Sequence, residues 1–265
     1  QTMTDTMTKN DALAARRRQA ELYMKEAEER RNVRHERMAK HGIKTLDEHV
    51  LPAYSKGEEI FNLVSHAAGA AFAVCALILF LWRSLTLGSV WGMFAGTIYS
   101  ISMFIVYAVS SIYHGVTKPH DKKVMQVIDH CDIYLLIIGS YAPMMLTGLR
   151  EYNAALAWSL FSVVTAVCAV GMVFTAIDFT KKAFKIISYA AYFVSGYTVV
   201  FAAKAIFAAY PPQFFWWLLG GGLIYTFGMI FYGLGHDKRW FHCIFHLFIL
   251  AGSVVQFVGF FLYCI

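Results

Sequence analysis

The chain has 265 residues, 58% of them hydrophobic and only 15% charged, where a soluble domain carries about a quarter charged. Residues 1–59 hold 12 Lys and Arg with 11 Asp and Glu, whereas the other 206 residues hold only 11 and 6, too few to solvate a globular surface of that size. The net charge of +6 is not a nucleic-acid footprint, because the tail's charges of both signs are interleaved and the body's basic residues gather between apolar runs.

Residues 11–41 read as a solvated, charged helix with Glu-to-Arg and Glu-to-Lys pairs near i,i+4 spacing and no sustained apolar seam. Gly42 and Pro52 mark a looser linker. No apolar h-region precedes residue 60, so the first span is expected to direct insertion. From there seven runs follow, at 60–82, 89–113, 125–148, 153–177, 184–208, 213–235 and 241–264. Each is close to or above the ~20 apolar residues that a helix needs to cross a bilayer. They are too long and too continuously apolar for barrel strands. The expected fold is all-α: a seven-transmembrane helix bundle over residues 58–265, behind a charged N-terminal tail at 1–57. Cys75, Cys131, Cys168, Cys243 and Cys264 are scattered without a C-x-x-C pair and read as small apolar residues of the spans.

With seven spans, one set of loops carries Lys118, Lys122, Lys123, Lys181, Lys182, Lys185, Lys238 and Arg239, and the other set has Arg83, Arg150 and nearby Lys204. Eight against three places the first set, and the N-terminus, in the cytoplasm, with the C-terminus outside.

That topology puts a group of polar residues at one depth near the cytoplasmic face: His66 in span one, Ser110 and His114 in span two, Asp129, His130 and Asp132 in span three, and His242 and His246 in span seven. Ionisable groups inside a membrane are costly and mark function or a paired site. His242 and His246 form H-x3-H, which places both imidazoles on one helix face about 6 Å apart along the axis. Two such rings can bind one zinc ion, and three histidines with an open position make a catalytic zinc site. Each residue also has a plainer reading. The histidine pair can bond carbonyls or headgroups, Asp129 can cap a helix start, and Ser110 can bond back to its own helix. His120, His130 and His236 are expected to be solvated, and Cys243, about 100° around the helix from His242, is a poor co-ligand. The shared depth, not any one motif, favours a metal.

In order and spacing, SSIYH (110–114), DHCDIYLLIIGSYAP (129–143) and FHCIFHLFILAGS (241–253), with EEIFNLVSHAAG (58–69), resemble the progestin and adipoQ receptor family and its bacterial hemolysin III branch. The resemblance covers roughly residues 55–265 and leaves out the charged tail. It implies a seven-helix bundle with the N-terminus inside. It also implies zinc ligands at His114, His242 and His246, a water-contacting aspartate at Asp129 and a serine at Ser110. Glu59, Asn62 and His66 fall on family positions of the first span and are expected to support the ligands or close the inner mouth. Gln256 departs from the histidine of some bacterial members.

The leading expectation is a zinc-dependent, ceramidase-like hydrolase of lipid amide or ester bonds in the plasma membrane, linked to membrane lipid homeostasis. Zn2+ would be the cofactor, Asp129 the general base, and Ser110 the group that orients water or donates to the oxyanion. Membrane lipids are the expected partners, and nucleic acid is not. The alternative is a non-enzymatic sensor or receptor with a structural zinc. A hemolytic pore is disfavoured, because no polar stripe continues across the spans.

Overall fold

The computed structural model describes residues 2–235 and 238–265, with side chains described from residue 13 onward. His236, expected to be solvated, lies outside the described residues. The chain falls into two compact units, Gln1–Glu48 and His49–Ile265. The first contains α1 (Thr2–Lys40) and a short 3-10 turn at Leu46–Glu48. From residue 13 on, exposed side chains cover α1 on all sides, as its unpatterned charge predicts, and Arg30 pairs with Glu26 one turn away at 3.6 Å.

The second unit is all-helical among its described residues. Its helices are α2 (Lys56–Thr86), α3 (Val90–Gly115), α4 (Pro119–Leu146), the short α5 (Gly148–Tyr152), α6 (Ala154–Asp178), α7 (Lys182–Tyr197), α8 (Ala203–Ala209), α9 (Pro212–Leu234) and α10 (Phe241–Tyr263). A 3-10 stretch at Thr198–Ala202 joins α7 to α8, so these form one broken rod. Among the described residues six rods are long and apolar enough to cross a membrane: α2, α3, α6, α7–α8, α9 and α10. The 28-residue α4 matches them in length but not in apolarity, because Asp129, His130 and Asp132 dilute its first half.

Helix ends are set locally. Ser55 and Glu58 form a reciprocal capping box at the start of α2, Ser89 and Asn153 cap α3 and α6, and prolines open α4 and α9. In sequence order the rods pack neighbour on neighbour, and α10 closes the ring against α2. The ring is loosest between α7 and α9, which are linked through α8 and by a 2.8 Å hydrogen bond between the hydroxyls of Tyr197 and Thr226.

Outward faces carry bare apolar side chains, with Phe201 89% exposed, while the interior is rich in tyrosine, small residues and polar groups. A bundle surrounded by hydrocarbon gains nothing from hiding apolar side chains from its solvent, and holds together by close packing and interhelical hydrogen bonds instead. Tyr141 provides one such bond. It donates to the Ser195 carbonyl at 2.6 Å and accepts from the Val199 N–H at 3.1 Å, satisfying backbone groups at the break in the α7–α8 rod. Gly139 provides the close packing. A Cβ there would lie 1.9 Å from Ser102 Oγ and 2.6 Å from its Cβ. Gly139→Ala should therefore push α3 and α4 apart and cost about 2 kcal/mol. Thermal unfolding in detergent should fall by about 5 °C. Gly196→Ala, where nothing lies within 4 Å, should leave the midpoint unchanged.

Candidate metal centre

The first turns of α10 and the last turn of α3 meet the start of α2 at one end of the ring. Trp240, the N-cap of α10, has a left-handed backbone (φ 67°), and its N–H donates to Glu58 Oε1 at 2.6 Å. A tryptophan in that region is strained by roughly 1–2 kcal/mol. The capping carboxylate of α2 thus also fixes where α10 begins, and with it His242 and His246 in the first two turns.

His114, His242 and His246 are all buried, and one ligand atom from each lies within 4.8 Å of the other two. The Nε2 atoms of His242 and His246 are 3.0 Å apart. Glu59 orients the third ring: its Oε2 lies 2.7 Å from His114 Nδ1, and its Oε1 is 2.9 Å from Lys122 Nζ. Lys122 is held in turn by the carbonyls of Tyr113 and Val116. A carboxylate on Nδ1 keeps the proton there and leaves the Nε2 lone pair facing the other imidazoles. His114 Nε2 is buried with no hydrogen-bond partner among the described residues. Three converging nitrogens, one of them orphaned and pre-oriented by a carboxylate, fit a divalent ion that favours imidazole.

Around this trio, His66 stacks on His246 with ring centroids 3.8 Å apart. Asn62 is fully buried one turn earlier, and neither of its amide atoms has a partner among the described residues, so it holds none of the three rings. Ser110 and Asp129 both line a cavity with His66, His242 and His246. Asp132 is buried on α4, away from that cavity's lining, with no partner for either oxygen among the described residues. Cys243 turns towards the Glu58 carbonyl, apart from the imidazoles.

His130 is not solvated. His130 lies about three turns into α4, which begins at Pro119, and lines the interior cavity. Its Nδ1 lies 2.7 Å from the Gln126 carbonyl and its Nε2 3.0 Å from the Tyr232 hydroxyl, and it stacks on Phe179. The Nδ1–H donates to the carbonyl, so Nε2 accepts from Tyr232. Only His120 of that group is exposed among the described residues.

Residues 49–55 form a strap across the imidazole end. Buried His49 pairs with Asp178 at 3.4 Å where α6 ends, and the Tyr54 ring stacks on His242 at 4.9 Å. Burial pushes the Tyr54 phenol well above its ordinary range, so it stays neutral. From this end the cavity, about 210 Å³, runs along α4 and α10 as far as Met144 and Gln256, and between α7 and α9.

Residues 54–257 match the family described as haemolysin-III related. The chain is 34% identical to Hemolysin-3 of Bacillus cereus over 200 residues, covering 76% of this chain and 89% of the relative. It is 33% identical to the Hemolysin-3 homolog of Bacillus subtilis over 208 residues, covering 78% and 95%. It is also 26% identical over 172 residues to the human Monocyte to macrophage differentiation factor, covering 63% and 69%.

Proposed function

The chain belongs to the haemolysin-III-related family of membrane proteins, and from that premise we propose that it is a hydrolase of lipid amide or ester bonds, with zinc held by His114, His242 and His246. The observation that carries this reading is the donor set: three buried imidazoles converge, and no carboxylate among the described residues joins them as a fourth ligand. Three protein nitrogens with a remaining open position is the catalytic pattern of zinc, whereas structural sites are closed by four protein ligands.

A bound zinc ion supplies Lewis acidity, polarising a carbonyl and making water a nucleophile near neutral pH. The chain's own residues do the rest. Asp129 takes the proton of the attacking water, and the Ser110 hydroxyl, on the same cavity wall, orients that water. Glu59 fixes the plane of His114, and His66 packs flat against His246. Tyr54 and the strap cover the imidazole end against bulk water. The acyl chain lies in the apolar length of the cavity, which it reaches sideways between α7 and α9.

In this reading α4 is a seventh span, the N-terminus is cytoplasmic, and the site lies near the inner face of the plasma membrane. The excess of basic residues in one set of loops supports that orientation.

The test is release of free fatty acid from a panel of acyl amides and acyl esters by detergent-purified protein. Turnover should disappear on treatment with phenanthroline and return with added zinc. Zinc that is retained while the whole panel goes uncleaved would overturn the hydrolase and leave a metal-stabilised sensor.

A further inference from the structure

We infer that the far end of the cavity is a recognition subsite for a hydroxyl group carried on the substrate's acyl chain, read by Gln256 and Tyr225; this rests on the lipid reading above. Between the imidazoles and that end the wall is mainly apolar, with Leu136, Ile137, Leu218 and Ile249 among its residues. Gln256 interrupts it. The side chain is 7% exposed, lines the cavity, and leaves Oε1 without a partner among the described residues. A buried amide oxygen left unpaired is destabilising, so a ligand that donates to it gains affinity. The side chain is also held in place: it packs on Gly221, where a Cβ would come within 2.4 Å of Gln256 Cγ.

Tyr225 lies on the same wall. Its hydroxyl is 2.8 Å from Ser253 Oγ, which already accepts from Tyr107 at 2.6 Å. Either oxygen can donate across that pair, and in both cases the Tyr225 hydroxyl keeps a hydrogen-bonding site for the cavity. Packing between α3, α9 and α10 accounts for the Tyr107–Ser253–Tyr225 chain, but not for the Gln256 carbonyl. A free acceptor on Gln256 beside a Tyr225 hydroxyl that can give or take a bond complements an alcohol, which both donates and accepts. A methylene at that place would satisfy neither group.

Position fixes where the hydroxyl falls. Gln256 follows His246 by ten residues on one helix, a rise of about 15 Å. An extended chain advances about 1.2 Å per bond. The hydroxyl therefore belongs about twelve bonds from the reacting carbonyl.

The experiment measures dissociation constants of three acids for detergent-purified protein: octadecanoic acid, the same acid hydroxylated at carbon twelve, and the isomer hydroxylated at carbon two. Binding needs no turnover, so the result does not depend on hydrolysis. Wild type should favour the carbon-twelve isomer over the other two by about tenfold. Gln256→Leu should abolish that preference while binding octadecanoic acid at least as well, and Tyr225→Phe should reduce it with less change in packing. Equal binding of all three acids by wild type, as when water alone satisfies Gln256, would overturn the subsite and leave the hydrolase standing. A preference that survives in Gln256→Leu would also overturn it. Failure of any acid to bind would remove the acyl-chain reading of the cavity together with the subsite.

Discussion

Replacing His242 and His246 together by alanine is expected to reduce bound zinc from about one ion per chain to none measurable, because two of three converging imidazoles are lost. The measurement is metal content of detergent-purified protein, wild type beside the double variant, with helicity and gel-filtration profile as controls for folding. Glu59→Gln gives a graded comparison. It keeps an acceptor for His114 Nδ1 but removes the charge that pairs with Lys122, and zinc affinity should fall by about 10–100-fold. Wild-type protein that is folded, never exposed to chelator and free of zinc would sink the metal reading and leave a polar cluster that packs helices.

Asp129→Asn is expected to separate chemistry from binding. The amide preserves size, but it cannot take a proton from water. Hydrolysis of a confirmed substrate should fall by about 10²–10⁴-fold. Zinc content and KM should remain near wild type, because Asp129 is outside the ligand set. A folded, zinc-loaded Asp129→Asn protein that turns over at the wild-type rate would move the proton-transfer role to another group. His130 and Tyr232, which line the same cavity, would be examined next.

The rods were legible because run length and hydropathy are local properties. The expected run 60–82 lies inside Lys56–Thr86, and 241–264 runs one residue past Phe241–Tyr263. The His242 and His246 pair was legible through i,i+4 spacing and His114 through the family resemblance, and the three residues do converge. What local patterns missed came from long-range contacts. Tyr54 precedes the first rod and meets a histidine 188 positions later, and Glu58 caps the backbone of Trp240 across 182. No periodicity encodes either contact. The fifth rod looked continuous, yet it breaks at Thr198–Ala202, where the Tyr141 hydroxyl takes over backbone hydrogen bonding. The apolar run begins only near residue 125, which makes His130 look close to a loop. Pro119, favoured at a first helical position, starts α4 six residues earlier, so His130 lies three turns from the helix end and away from the loop.

The loose seam between α7 and α9 has a kinetic consequence for a lipid hydrolase. A substrate that arrives through that seam is drawn from the bilayer, so the concentration that governs encounter is its mole fraction among neighbouring lipids. Diluting the vesicles with buffer changes bulk molarity and leaves the rate per vesicle alone, whereas diluting the substrate with inert lipid slows it. A fatty acid product released into the same seam re-enters the pool that competes for the cavity. Turnover by the proposed hydrolase would then report the composition of the membrane in which the bundle is embedded, a surface-dilution regime set by a sparsely packed seam between two helices.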